Sequence, residues 1–480
     1  MHNYPLKLFA KLSVWVLLLL GYSCARIPEH ELACISDVSG CTTIVEEAVN
    51  SGQFHRGDWP AQEWWKDFED PILTGLIEDA LRLSPTLKRA EARLKAAFQV
   101  ALQKKATLFP EVDLDASTNW QHLSKEGFYR AIAPTIPAVV NDIYLGLSFS
   151  YELDLWGKNR KLYEAALGQT AAFAAERKQA ELILTTSIAY TYAQLQFLLQ
   201  KRAIIQQVEE NNEGITLARI KRERHAIDTT IERLHSETDT LDVRGSLVEL
   251  EDQIRAEIHK LKALTGLGQD AVLKIDLRNL KPLRIALPEN LALDLIGRRP
   301  DLIAQRARVE AASKQIGAAK TDFYPNINLT GFVGLESIFW NSIFLTNNYS
   351  GNIMPAIHLP IFTAGRLRAH LMEKVEDFNE AVFSYDELIL RAAQDVANAL
   401  TAISLLQLQI DVRKISLQKA EQEANITLLR FKHALDDQIS LYKVKNQVLQ
   451  MELILAGLEY GKQLAGIQLI RALGGGFYER

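Results

Sequence analysis

The chain has 480 residues, 48% of them hydrophobic, and carries a formal net charge of −5 from 54 basic and 59 acidic side chains. A balance this close to neutral leaves no footprint for a polyanion, which excludes nucleic acid as a partner. The length allows about three ordinary domains or one elongated architecture.

Lys7 and Lys11 precede the apolar run Leu12 to Leu20, and Gly21-Tyr22-Ser23-Cys24 follows. This is the layout of a secretory signal over residues 1–23. The run is too short to span a bilayer, and no later run of about 18 apolar residues occurs, so helices are not expected to hold the protein in a membrane. A cysteine directly after the apolar core resembles a bacterial lipoprotein cleavage site, with Cys24 as the lipidated first residue of the mature chain. Gly21 stands where such sites usually carry Leu, and ordinary cleavage with Cys24 as a bystander is the alternative. Cys34 and Cys41 suit a disulfide in an oxidising periplasm, a pairing that sequence leaves open. Residues 24–63 are turn-rich, lack periodicity and read as an extended N-terminal arm.

Trp64-Trp65 and Asp70-Pro71 lead into a helix with Leu73, Leu76, Ile77, Ala80 and Leu81 on one face. A second helix opens at Pro85, where proline is tolerated in the first turn, and runs to about Leu108. Pro110 ends it and begins a strand over about 111–121. The clearest pattern covers 142–156. Ile143, Leu145, Leu147, Phe149, Tyr151, Leu153 and Leu155 alternate with Asp142, Tyr144, Gly146, Ser148, Ser150, Glu152 and Asp154. Such alternation puts one face in an apolar medium and the other in water. After Gly157 no proline interrupts the chain until His225, which predicts a helix of roughly 100 Å at about 1.5 Å per residue. The segment 225–231 turns it back, with Asp228 placed to cap the returning helix, and Gly266 ends that helix.

Residues 267–288 read as a linker, after which the pattern returns. Pro300 and Pro325 are 25 residues apart, as are Pro85 and Pro110, and Leu302, Ala307, Arg308, Lys320 and Leu329 match Leu87, Ala92, Arg93, Lys105 and Leu114. Strands are expected over about 326–335 and 350–362, the latter kinked or at an edge because Pro355 and Pro360 lack ladder donors. Gly365 to His433 repeats the proline-free helix, 433–439 repeats the turn with Asp436 as its cap, and Gly474-Gly475 ends the return. Two structural repeats, 64–266 and 289–477, are therefore expected. The fold class is α+β, mostly α. Four strands per chain cannot close a membrane barrel, which needs about eight or more, and an open apolar sheet would aggregate through its edges. Three chains contributing four strands each would supply about 12 and remove the edges. A soluble sandwich with one wet face is the alternative on the strands alone.

Taken in order, Trp64-Trp65 with Asp70-Pro71, Arg298-Arg299-Pro300-Asp301-Leu302, Phe323-Tyr324-Pro325, Leu359-Pro360-Ile361-Phe362 and Ala472-Leu473-Gly474-Gly475-Gly476-Phe477 resemble the TolC-like outer-membrane efflux protein family. The likeness extends from Trp64 to Phe477 and is closest to the lipoprotein branch serving multidrug and metal efflux. It implies a homotrimer with a 12-stranded barrel in the outer membrane, continued by a long periplasmic α-helical barrel. Leu145, Leu147, Phe149 and Tyr151 would face outer-membrane lipid. Implied partners are a periplasmic adaptor docking on the tips Ala226, Ile227, Asp228, Ala434, Leu435 and Asp436, and an inner-membrane transporter of the RND type. The implied location is the Gram-negative outer membrane, reaching into the periplasm with a lipid anchor at Cys24. Solutes such as drugs or metal ions would pass outward through the bore.

The chain departs from the family at three places. Ala226 and Ala434 replace the usual tip glycines, which predicts a different or stiffer turn. Lys443 stands where relatives often place an aspartate facing the bore, with Ser440 one helical turn earlier and Glu232 as an acidic candidate in the first repeat. These three are candidate lining residues of the aperture, and solvated surface charge is the alternative for Glu232 and Lys443. No phosphate loop, CxxC pair or HExxH occurs, and the 10 histidines, His225 and His433 included, show no ligand spacing. No enzyme, cofactor or metal site is expected. A duct of type I protein secretion, or a periplasmic coiled-coil adaptor without a pore, remains as an alternative.

Overall fold

The computed structural model describes residues 27–34, 54–278, 280–283, 286–287 and 297–477. The signal segment 1–23, Cys24, Cys41 and most of the arm lie outside the described residues. Cys34 is exposed. The chain divides into two compact units. One comprises Met1–Ile35, Lys95–Ala172 and Gln305–Ser384; the other comprises Ser36–Leu94, Phe173–Ala304 and Tyr385–Arg480. In chain order the elements are β1 (His55–Arg56), α1 (Pro71–Leu83), α2 (Pro85–Ala106), β2 (Glu111–His122), α3 (Phe128–Ile132), β3 (Val139–Glu152), α4 (Lys158–Arg224) and α5 (Thr230–Thr265). They continue with β4 (Ala286–Leu287), α6 (Pro300–Thr321), β5 (Asn326–Ser337), β6 (Tyr349–His358), α7 (Arg366–Lys432) and α8 (Gln438–Ala472). α2 and α6 both have 22 residues, α4 and α7 both have 67, and α5 and α8 have 36 and 35.

The first unit holds a four-stranded antiparallel sheet in the order β2-β3-β5-β6. Pro355 sits on β6 at the sheet edge, where a strand tolerates proline. Glycines at the β3–β5 contact let the backbones approach closely, since a Cβ on Gly334 would lie 2.5 Å from the Gly146 Cα. Beneath the sheet, Ile316, Ala319, Phe323, Leu367, Leu371 and Val375 form a small apolar cluster.

Two strands stop earlier than the alternation suggests. β3 ends at Glu152, not 156, because Asp154 caps the next helix: its carboxylate accepts from the Asn159 and Arg160 amides at 3.0 and 2.9 Å. Trp156 then stacks on Tyr324 with centroids 5.0 Å apart and donates to the Pro325 carbonyl at 2.7 Å. β6 ends at His358, not 362, short of Pro360, and the chain turns through Ala364 and Gly365 at φ 49° and 85°.

The second unit is built on long helices. Its main core contains Trp64, Phe68, Leu73, Ile77, Ile188, Tyr192, Leu195 and Leu261. An 18-residue window of α4 has a mean hydropathy of 1.2, enough by composition to cross a membrane, but 72% of it is buried within the chain. That apolar run is core packing. Each returning helix ends against the start of a 22-residue helix. Gly266, at φ 76°, lies where a Cβ would be 3.2 Å from the Leu83 carbonyl carbon, beside the α1–α2 junction. Gly474, at φ 87°, leaves only 2.1 Å between such a Cβ and the Arg298 carbonyl oxygen, and Arg299 donates to the Ala472 carbonyl at 3.2 Å. A side chain at either glycine would meet backbone, which explains the glycines that end α5 and follow α8.

Asp70 ties this core together. Its carboxylate accepts from the Ile72 and Leu73 amides at 2.7 and 3.2 Å, capping α1, and from the Tyr192 hydroxyl at 2.9 Å. Burial pushes the Tyr192 hydroxyl up from its ordinary value, so it remains a donor at neutral pH. Asp70→Ala removes a cap, typically about 1 kcal/mol, and strands a buried hydroxyl, about 1–3 kcal/mol. Denaturant unfolding of the detergent-purified protein should show a loss of roughly 2 kcal/mol or more, with a smaller loss for Asp70→Asn, which keeps an acceptor. An unchanged midpoint in both would remove Asp70 from this role.

Candidate functional site

Two places concentrate the residues that sequence singles out: one face of the sheet and the two helical turns. The register assigns the sheet faces. Leu145 pairs with Ala116 and Leu335, Leu147 with Leu114 and Val333, Phe149 with Val112 and Gly331, and Tyr151 with Leu329. Leu329 in turn pairs with Pro355, and Gly331 with Ile353. Directly paired residues share a face, so one surface is apolar across all four strands. Leu114 and Ile353, on the two edge strands, are 70% and 72% exposed. The opposite face is largely polar. Ser148 donates to Asp115 at 2.5 Å, and Tyr144 and Phe332 pack edge to face at 5.5 Å. Phe149 covers Gly331 on the apolar face, where a glycine Cβ would come within 2.6 Å of its ring.

The turns belong to the second unit and are built alike. The Ala226 and Ile227 amides donate to the Glu223 and Arg222 carbonyls at 2.9 Å each; the Ala434 and Leu435 amides donate to the Phe431 and Arg430 carbonyls at 3.0 and 2.8 Å. This is the Schellman closure of a helix end, which needs one left-handed residue. Alanine supplies it twice: Ala226 has φ 51° and Ala434 has φ 57°. The hydrogen bonds thus hold alanine at both turns in the left-handed conformation that glycine adopts freely.

The capping expectation is corrected. Thr229, not Asp228, caps α5 by accepting from the Glu232 amide at 3.3 Å, and Asp437, not Asp436, caps α8 by accepting from Ser440 at 2.8 Å. Asp228 and Asp436 instead serve arginines of the preceding helices. Asp228 accepts from Arg219 at 2.9 Å and Arg222 at 3.0 Å, and Asp436 accepts from Arg430 at 2.6 Å. Arg222 also reaches Asp437 at 2.8 Å, so one guanidinium joins the two turns. Sequence reasoning missed Arg219 and Arg222; the basic last turn of α4 signalled only Arg222.

The aperture candidates separate. Glu232 is exposed but bound to Arg219 at 3.1 Å. Ser440 is half-buried at the start of α8, and Lys443 is exposed one turn later. Nearby, Tyr442 lies over Gly214 of α4, where a Cβ would fall 2.5 Å from its ring. Ile227 and Leu435 project at the turns, 65% and 66% exposed.

A sequence model described as outer membrane efflux protein matches residues 76–267 and again residues 291–475. The chain belongs to the outer membrane efflux protein family. The multidrug resistance outer membrane protein MdtQ of Escherichia coli O6:H1 is 28% identical over 488 residues, covering 98% of each chain. The outer membrane protein VceC of Vibrio cholerae is 31% identical, with a TM-score of 0.78 over 87% of this chain and 100% of its own. The CmeC outer membrane channel of Campylobacter jejuni shares the fold at a TM-score of 0.84 and 21% identity, over 94% of this chain and 95% of its own. This efflux protein is thus a channel of the outer membrane, and a transport conduit rather than an enzyme.

Electrostatics of the turns give this efflux channel a defined pH response. Arg219, then Arg222, hold the Asp228 carboxyl below its ordinary 3.8, and the Ser440 contacts lower Asp437 likewise. For depressed carboxyls the stabilisation is complete above the ordinary value and is lost as pH falls through the folded one. Hydrogen exchange at 226–231, corrected for intrinsic rates, should be flat from pH 8 to 5 and accelerate only below about 4. Arg222→Gln should accelerate it already at pH 7.

Proposed function

We propose that this efflux channel works as a homotrimer in which each copy contributes its four strands to a 12-stranded barrel. Leu145, Leu147, Phe149 and Tyr151 face lipid, and the polar face lines the bore. The observation that carries this reading is the open sheet. Among the described residues β2 and β6 each have one strand neighbour, yet the face they share with β3 and β5 is apolar in every strand, from Val112 and Leu114 on β2 to Ile353 and Ile357 on β6. Within a bilayer an unpaired edge costs several kcal/mol per unsatisfied backbone group, and closure alone removes it. The two matches of the family model, with long helices matched in order and to within one residue in length, support two structural repeats within 64–266 and 289–477.

On this reading a periplasmic adaptor docks on the turns, using Ile227 and Leu435 with Ala226, Asp228, Ala434 and Asp436. An inner-membrane pump of the RND type drives export through the adaptor. Ser440 and Lys443 line the aperture, and Glu232 contributes through Arg219. Cys24 carries the lipid anchor. The cargo is small toxic solutes, in line with the multidrug resistance named for the relatives.

Planar bilayers test the barrel and the aperture together. The wild type should conduct ions, and Lys443→Asp should shift the current toward cation selectivity. Leu147→Arg should insert poorly, because a midplane arginine on a lipid face costs roughly 2–4 kcal/mol; Ser148→Arg, on the other face, should insert normally. Equal insertion of both arginine variants would refute the assigned facing, and unaltered selectivity would take Lys443 out of the bore. In cells, deletion should raise dye or metal accumulation. Unchanged accumulation with loss of a secreted protein would move the assignment to type I secretion.

A further inference from the structure

At the ends of β3, β5 and β6 nearest the helices lies a cavity of about 280 Å³, wholly within the sheet-bearing unit. Its walls differ in character. Leu153 and Leu155 line it and continue the odd-numbered apolar set of β3 past the end of the strand, at 37% and 62% exposure. Ile361 and Phe362, which follow the lining residue Pro360, are 59% and 88% exposed. Glu152 and Asn326, by contrast, belong to the polar set, since Glu152 pairs with Asn328 and Asn326 lies two residues before it. The stacked rings of Trp156 and Tyr324 join the lining.

Most of the charge around the cavity is already in use. Lys158 meets Asp322 at 2.9 Å, and Asp154 accepts from the two amides at the start of α4. Glu152, which is half-buried, and Arg366 have no ion-pair partner among the described residues. Arg366 opens α7, the end at which the helix dipole disfavours a cation, so the helix itself gives no reason for it. On the same cavity the side-chain oxygen of Asn326 is buried without a hydrogen-bond partner among the described residues, and a buried acceptor left unmet is costly. The cavity therefore offers two acceptors to a cationic group, one guanidinium to an anionic group, and an apolar wall beside them.

We infer that this cavity binds the headgroup of a zwitterionic phospholipid of the phosphoethanolamine class, with its ammonium at Glu152 and Asn326 and its phosphate at Arg366. This rests on the lipid facing proposed above, which sets these strand ends at the periplasmic surface of the membrane. A free anion would use Arg366 and leave both acceptors unmet. A simple cation would leave Arg366 unpaired and the apolar wall bare. Ammonium, phosphate and acyl chains on one molecule meet all three, with the chains passing from Leu153 and Leu155 onto the apolar face of the sheet. A guanidinium suits a phosphate through charge-assisted hydrogen bonds, and Trp and Tyr favour the boundary between membrane and water.

Native mass spectrometry of the detergent-purified full chain tests the site. Phosphatidylglycerol carries the same phosphate without the ammonium. The wild type should hold phosphatidylethanolamine about tenfold more tightly than phosphatidylglycerol, the worth of one charge-assisted contact. Glu152→Gln should abolish that preference, and Arg366→Gln should weaken both lipids, with helix content unchanged by circular dichroism. Inorganic phosphate should not displace the bound lipid. Equal binding of the two lipids by the wild type overturns the inference without recourse to any variant. So does a preference that survives Glu152→Gln, binding indifferent to Arg366→Gln, or displacement by inorganic phosphate. A wild type that inserts and conducts yet gives one of these results loses the lipid site and keeps the barrel. A chain that neither inserts nor conducts loses both.

Discussion

The controlling constraint is that every backbone N–H and C=O within a hydrocarbon layer must find a partner in protein. β2 and β3 exchange ladder bonds along all 12 residues of β2, but the other side of β2 faces no strand among the described residues. β6 stands the same way at the opposite edge. In water such edges are a liability that charge, proline or a bulge can blunt. Here Pro355 blunts β6 at one position only, and the apolar face runs to both edges. A surface that excludes water and an edge that needs donors are compatible only when another strand supplies them, so the side-chain pattern and the open ladder must be solved by one event.

The turns illustrate a second way in which the surroundings override local preference. An L-residue in the left-handed region costs roughly 1–2 kcal/mol, and alanine occupies it at both Ala226 and Ala434. The paired amide–carbonyl bonds of the Schellman closure, together with Asp228 held between Arg219 and Arg222, leave the chain no cheaper route. Glycine would also widen the range of turns open to the unfolded chain. Alanine therefore gives up some native comfort for a narrower ensemble at the part of the molecule proposed to meet the adaptor.

Much of this was legible in the chain. Alternation from Asp142 to Glu152, proline-headed helices at Pro85 and Pro300, and long proline-free stretches are local signals that tertiary packing reinforces. The strand ends were not legible. Leu153 and Leu155 continue the alternation in letters, but Asp154 between them serves a helix cap, and a period says nothing about which group will use a carboxylate. The caps failed for a related reason. Asp228-Thr229 and Asp436-Asp437 each offer two adjacent side chains able to cap, and the choice is decided by Arg219, Arg222 and Arg430 on the preceding helix, which draw one acid away. That geometry depends on how the turn closes and leaves no fixed spacing to read.

Exposed apolar residues on a single chain mark missing neighbours, and their company identifies the neighbour's chemistry. Along the middle of the sheet face the register joins Leu114, Leu147, Val333, Leu145 and Leu335 without a charged residue among them. The exposed apolar stripes of α5 (Ile231, Leu241, Val248) and α7 (Val412, Ile415, Ile426) are different. Lys419, Gln422 and Thr238 interrupt them, and acids such as Asp242 and Glu249 flank them. A lysine or aspartate against hydrocarbon costs several kcal/mol, whereas against another helix it can be paired, covered or snorkelled at little cost. On the reading proposed above, the same degree of exposure calls for lipid on the strands, whereas the helix faces carry charge that hydrocarbon would accept only at a cost. That distinction rests on which side chains stand beside the apolar ones, not on how many apolar residues are bare.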